Sequence, residues 1–238
     1  EETSNLIEDI KFETISEIRR QDYLSLKAKN FEKFKKFDEA FACFTQNNIL
    51  VKESKEYPKH NPDQYFKDLR DSLDKLKSSS RLNSKTNSVE NPEFSPTFLV
   101  GFPRSGTTLL DTILRSNSKI NILEEKGMLG AAKNFLTQNG HNNFSGELIP
   151  PKLILQAQKI YRKEFNKHID TTLTDRVYID KLPLSLSEAP LIHQLYPDAK
   201  FILALRHPMD AILSCWMQKF RLNNPMANML DLDRIADF

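Results

Sequence analysis

The chain is 238 residues long, with 34 Lys plus Arg against 32 Asp plus Glu and a formal net charge of +2. So even a balance gives no bulk attraction to nucleic acid or an anionic membrane, and any anion site must be local. Hydrophobic residues make up 39% of the chain, no run approaches the ~18 apolar residues of a membrane span, and Cys43 and Cys215 are too few for a disulfide framework and fit a reducing, cytoplasmic setting.

Residues 1–92 are charged, almost free of glycine and patterned as helices, with Leu24, Ala28, Phe31, Phe37, Ala40, Phe41, Phe44 and Ile49 at three- and four-residue spacings. Ala28, Ala40 and Phe44 sit as small and aromatic positions do in a tetratricopeptide helix pair, and Phe37-Asp38-Glu39-Ala40 resembles the start of that repeat's second helix. One repeat is legible, whereas about three are needed for independent stability. These helices are therefore expected to end a longer array or to pack on the domain that follows, and they are a candidate surface for a protein partner. A third helix is expected from about Asp63 to Lys77. The Ser-, Asn- and Pro-rich stretch from Ser78 to Pro96 then reads as a linker into a second domain, 93–238.

Phe98, Leu99 and Val100 form a short strand-like run, Gly101, Pro103 and Gly106 stop it, and Leu109, Leu110, Ile113 and Leu114 recur at helical spacing. A strand feeding a helix through a glycine-bounded loop brings free backbone N–H groups and the positive end of a helix dipole to one small volume, the arrangement that cradles phosphate. The loop nearly matches G-x-x-x-x-G-K-[ST], with Gly101, Gly106 and Thr108 in place. Thr107 stands where the lysine that bridges the terminal phosphates of ATP belongs, and Arg104 adds a cation inside the loop. The loop suits a phosphate or sulfate oxyanion without a triphosphate and its magnesium.

Downstream, residues 138–151 read as a loop, and an amphipathic helix follows from about Pro151 to Lys167. Val177-Tyr178-Ile179 reads as a short buried strand that delivers Asp180 and Lys181 to its carboxyl end, and Pro183 to Tyr196 as a helix. Lys200 to Leu205 is an apolar run expected to form a central parallel strand, with Arg206 at its carboxyl end, where open α/β sheets bind ligands. The alternation predicts an α/β fold: a P-loop-like parallel sheet with flanking helices, preceded by an all-helical, tetratricopeptide-like region. His141, His168 and His193 have no spacing that suggests a metal site.

Pro103-Arg104-Ser105-Gly106-Thr107-Thr108-Leu109 resembles the 5′-phosphosulfate loop of sulfotransferases. Leu205-Arg206-His207-Pro208 through Ser214 resembles the segment that holds the cofactor's 3′-phosphate through an arginine and a serine eight positions later, here Arg206 and Ser214. Asp180-Lys181-Leu182-Pro183 is similar to the Asp-Lys-x-Pro segment of bacterial sulfotransferases that carry a tetratricopeptide region and are relatives of the tyrosylprotein enzymes. The resemblance implies transfer of a sulfuryl group from 3′-phosphoadenosine 5′-phosphosulfate to an acceptor hydroxyl, on peptide tyrosine or carbohydrate, leaving 3′-phosphoadenosine 5′-phosphate. It assigns cofactor binding to Arg104, Ser105, Gly106, Thr107, Thr108, Arg206 and Ser214. It also implies further segments beyond Phe238 that hold the adenine ring.

The family places a catalytic glutamate in a stretch reading Ser-His-Pro, five residues, Gly-Glu-Leu. The corresponding run, Ser116 to Lys126, lacks His and Pro and has Glu124 for the glycine. Counting from Ser116 makes Glu125 the base, and a slip of one makes it Glu124. Such a carboxylate would take the acceptor's proton, while Arg104, the loop amides and Lys181 would meet charge growing on the leaving oxygen. The planar fork of Arg206 suits bidentate hold of the 3′-phosphate, with Ser214 completing the shell. Two other classes compete: a P-loop phosphotransferase, disfavoured by Thr107, and a non-catalytic helical binding protein with a degenerate transferase domain, kept open by the unusual Glu124-Glu125 segment.

Overall fold

The computed structural model describes residues 10, 12–78, 94–141, 148–170 and 175–238. The expected linker falls for its greater part outside the described residues, as does part of the loop expected over 138–151. The described chain forms two compact units, residues 1–67 with 212–238, and residues 68–211.

The second unit holds the sheet. Strands β1 (Thr97–Gly101), β2 (Ile120–Glu124), β3 (Val177–Lys181) and β4 (Lys200–Ala204) are all parallel and lie in the order β2-β3-β1-β4. Because side chains alternate along a strand, the register sorts them cleanly. Glu124, Lys181, Leu99 and Ile202 form one row across the sheet, and Leu123, Asp180, Phe98 and Phe201 form the next, on the opposite face.

Each face has its own core. On the first, Leu99, Ile122, Ile179 and Ala204 pack with Leu110 and Leu114 of the helix Thr107–Leu114. On the second, Phe98, Val100 and Leu123 pack under three helices, Met128–Gln138, Pro151–Asn166 and Ala189–Leu195. Helices on both faces of a parallel sheet bury strands whose neighbouring residues are all apolar, as the Phe98-Leu99-Val100 run requires. The six-residue 3-10 helix at Pro183–Glu188 departs from the continuous helix expected from Pro183 to Tyr196, since Pro183 and Pro190 restrict the preceding residues and favour a fresh helix start.

Strand β4 also departs from expectation. Among the described strands it lies at an edge, not at the centre, and Phe201 and Leu203 are exposed at 41% and 47%. An apolar run with a charged start does not distinguish an edge strand from a central one, because this edge strand carries apolar residues on its exposed side as well.

Asp180 is the polar exception in the second core. Its carboxylate accepts a hydrogen bond from the Tyr161 hydroxyl at 2.9 Å, and burial pushes its pKa up from 3.8 to about 7, the tyrosine contact opposing this only in part. A carboxyl with a raised folded-state pKa binds its proton more tightly folded than unfolded, so its contribution to stability is complete below about pH 4 and is lost as pH rises through about 7. Asp180→Asn keeps the shape and the acceptor for Tyr161 without the titration. The unfolding free energy of this variant relative to wild type, followed by urea titration, is expected to rise between about pH 4 and pH 7 and level off above. A flat difference would show that Asp180 ionises normally.

In the first unit, helices α1 (Glu17–Lys33) and α2 (Phe37–Lys52) form a hairpin that buries Leu24, Ala28, Ala40 and Phe44. Phe37, Phe41 and Ile49, expected in the same stripe, stay half exposed or more, since one partner helix covers only part of so wide a face. The ring of Trp216 stacks on Phe41 with centroids 4.7 Å apart, its carbonyl accepts from Asn48 Nδ2 at 3.1 Å, and the Arg234 guanidinium lies 4.2 Å from the Phe66 ring centroid. Phe66 lies in the third helix, α3 (Pro62–Ser78), close to the bounds expected. In chain order the helices already given for the second unit are α4 (Thr107–Leu114), α5 (Met128–Gln138), α6 (Pro151–Asn166) and α7 (Ala189–Leu195). They are followed by α8 (Pro208–Trp216) and α9 (Leu232–Asp237). Among the described residues no helix is long and apolar enough to cross a membrane.

Candidate functional site

Strand β1 ends at Gly101, and its following helix α4 packs on the first face, whereas β3, its neighbour, is followed by α7 on the second. Connections that leave adjacent strands toward opposite faces open a crevice at the strands' carboxyl ends. The loop 102–106 lies at the end of β1, and Lys181 ends β3 beside it.

The loop is built tightly. A Cβ on Gly101 would lie 2.6 Å from Ser105 Oγ and 2.7 Å from the Ala204 carbonyl oxygen, so any side chain there would push the loop away from β4. Ser105 N–H donates to the Phe102 carbonyl at 3.1 Å. Arg104 takes a left-handed φ of 64° and Gly106 one of 98°. The two left-handed residues turn the chain into α4, whose N-terminus receives no side-chain cap, and the first N–H groups of a helix have no intrahelical acceptor. Ser105 Oγ is buried and has no hydrogen-bond partner. An orphaned hydroxyl beside an uncapped helix start is the donor set an oxyanion satisfies.

Lys181 is 1% exposed, and its ammonium gathers three polar side chains from two elements. It donates to Asp111 Oδ2 of α4 at 3.3 Å, to Thr108 Oγ1 of α4 at 3.4 Å and to Glu124 Oε1 at the end of β2. Asp111 is buried and also accepts from Arg115 Nε, while Arg115 Nη2 reaches the Ile122 carbonyl at 2.8 Å. The Glu124 side chain is 48% exposed. Glu125 has a left-handed φ of 50°, its N–H donates to the Lys181 carbonyl at 2.8 Å, and its side chain is exposed. Three non-glycine residues have positive φ among the described residues, Lys35, Arg104 and Glu125. Backbone strain of this kind gathers at functional sites.

Arg206 follows β4, and its Nη1 donates to the carbonyl of Arg104 at 3.1 Å, with Asp210 Oδ2 at 3.8 Å from its Nε. The guanidinium of Arg206 thus rests on the loop itself. Of the residues singled out in sequence, Arg104, Ser105, Gly106, Thr107, Thr108, Glu125, Lys181 and Arg206 come together at the carboxyl end of the sheet. Ser214 lies farther along α8 and falls in the other compact unit. Asp111 was not singled out, although a signal was present. Thr107, Leu110, Asp111 and Leu114 share the i, i+3, i+4, i+7 stripe of α4, and a charge on a buried stripe needs a buried partner.

Residues 96–237 match the model of the sulfotransferase family. An uncharacterized protein of Aquifex aeolicus (strain VF5) is 27% identical over 203 residues, 81% of this chain and 25% of that protein. The nodulation protein NoeE of Sinorhizobium fredii (strain NBRC 101917 / NGR234) is 30% identical over 128 residues, 47% of this chain and 28% of its own length. The chain therefore spans only about a quarter of the length of these relatives.

Proposed function

Because this chain belongs to the sulfotransferase family, we propose that it transfers a sulfuryl group from 3′-phosphoadenosine 5′-phosphosulfate to an acceptor hydroxyl, with residues 93–238 as the catalytic domain and 1–92 as a helical region. The observation that supports this most is the convergence of Lys181, Thr108 and the Arg206 guanidinium on one uncapped loop whose buried Ser105 hydroxyl lacks a partner. Such a site offers an oxyanion several donors.

The loop amides, Ser105, Thr107 and Thr108 would hold the 5′-phosphosulfate, and Arg206 with Ser214 the 3′-phosphate. The bound donor supplies an activated sulfuryl group with a phosphate as leaving group. Lys181 and Arg104 stabilise negative charge on the leaving side through fixed cations that need little reorganisation. Glu125 is the base that takes the acceptor proton. The neighbouring Glu124 carboxylate is engaged as counter-ion to Lys181, which supports Glu125 over the register slip. The tetratricopeptide-like hairpin and the Asp-Lys-x-Pro segment favour relatives of the tyrosylprotein enzymes, with peptide tyrosine or carbohydrate as acceptor. The two buried thiols, Cys43 and Cys215, neither of them in a disulfide, favour a reducing, cytoplasmic setting.

Calorimetric titration with 3′-phosphoadenosine 5′-phosphate and transfer of labelled sulfuryl donor to a panel of acceptor hydroxyls test the reading. Glu125→Ala is expected to lose about 10²- to 10⁴-fold in transfer, the usual share of a general base, and Glu124→Ala clearly less. A reversed order would move the base to Glu124. Tight binding of ATP with magnesium, and none of the 3′-phosphorylated nucleotide, would favour a phosphotransferase instead.

A further inference from the structure

Lys181 is held from two sides by carboxylates of unlike freedom. Asp111 is buried and tied twice, to Lys181 and to Arg115, and Arg115 is in turn tied to the Ile122 carbonyl. It cannot rotate without breaking bonds that span α4, β2 and β3. Glu124 is half exposed and can give its bond up to water at little cost. With both carboxylates in place the four formal charges of Lys181, Arg115, Asp111 and Glu124 cancel. When Glu124 turns outward the cluster carries one net positive charge, still anchored, beside Thr108 at the start of α4, where the helix dipole also favours an anion.

We propose that Asp111 is a positioning residue, fixing the Lys181 ammonium at the mouth of the anion loop and leaving Glu124 as the exchangeable partner that an incoming anion displaces. The part of this that concerns turnover rests on the sulfuryl-transfer reading. The part that concerns Lys181 does not.

Asp111→Asn removes the charge and keeps the shape, and Asp111→Glu restores the charge one methylene farther out. Two readouts are needed on the full chain. In the first, the rate at which an amine-acetylating reagent labels Lys181 is followed by peptide mass spectrometry without any nucleotide. It is expected to rise about tenfold in Asp111→Asn, because a released side chain samples open states more often, and to return toward wild type in Asp111→Glu. In the second, kcat is expected to fall about 100-fold with the donor KM little changed, the pattern of a misplaced group that acts in the transition state. The double variant Asp111→Asn, Lys181→Met should then be no slower than Lys181→Met alone, since both act through one ammonium.

Wild-type labelling of Lys181 in Asp111→Asn, or losses of kcat that simply add in the double variant, would overturn the assignment. Should Asp111→Asn fail to fold, Asp111→Glu carries the labelling test alone, with displaced but retained charge expected to give a rate between the two extremes. A wild-type chain that transfers no sulfuryl group, yet gives the expected labelling pattern, would refute the transfer reading and sustain the positioning role.

Discussion

Replacing Arg104 with alanine is expected to lower sulfuryl transfer by about 10²- to 10³-fold, equivalent to about 2.7–4 kcal/mol of barrier, the cost of removing one preorganised donor from a site where charge develops. The side chain is exposed, and one structural contact at this residue is made by its backbone. The Arg104 carbonyl, not its guanidinium, receives Arg206 Nη1 at 3.1 Å, and alanine keeps that carbonyl. The left-handed φ of 64° strains either side chain similarly. Unfolding free energy should therefore shift by about 0.5 kcal/mol or less, as for ordinary surface changes. Arg104→Lys should fall between the two, because a lysine retains charge without the planar fork. Single-turnover transfer measured beside a thermal melt separates the outcomes, and an alanine variant within about threefold of wild type would remove Arg104 from the catalytic account.

Lys181→Met is expected to lose activity on the same scale, about 10²- to 10³-fold, and to lose stability as well. Asp111 and Glu124 both point at the ammonium, and removing one partner of a buried ion pair leaves a charge without compensation, at a cost of about 3–5 kcal/mol. Here the figure belongs at the lower end, because Asp111 keeps Arg115 and Glu124 can turn into solvent. The stability loss has its own check. Adding Asp111→Asn to Lys181→Met removes the buried carboxylate that has lost one of its two cations, while the half-exposed Arg115 keeps the Ile122 carbonyl and water, so the double variant should melt higher than Lys181→Met while remaining inactive. Activity that returned with stability would show that Lys181 serves the fold alone.

Much of this arrangement was legible in the residues, for reasons that can be named. The loop was readable because Gly101, Pro103 and Gly106 interrupt an apolar strand and an apolar helix stripe within a few residues. Lys181 was readable as the last residue of a strand, but its partners were not. Asp111 is 70 residues away, and only the register that aligns Lys181 with Leu99 and Glu124 brings α4 over it. The edge position of β4 was likewise beyond local pattern, because strand order is decided by crossover connections and not by the strand's own side chains. The hydrogen bond from Tyr161 to Asp180 needed the fold too. In sequence Asp180 and Lys181 are neighbours at one strand's carboxyl end, whereas alternation sends the two to opposite faces of the sheet.

Glu125 sits at the junction where the β2 chain must leave the sheet. Its amide still completes the ladder to the Lys181 carbonyl, and its φ of 50° belongs to a conformation that glycine adopts without penalty. A glycine at this position would relax about 1 kcal/mol of backbone cost and make the polypeptide hardier, at the very point where the proposed chemistry needs an acid side chain. Under the proposed chemistry, robustness and turnover pull against each other at this one residue.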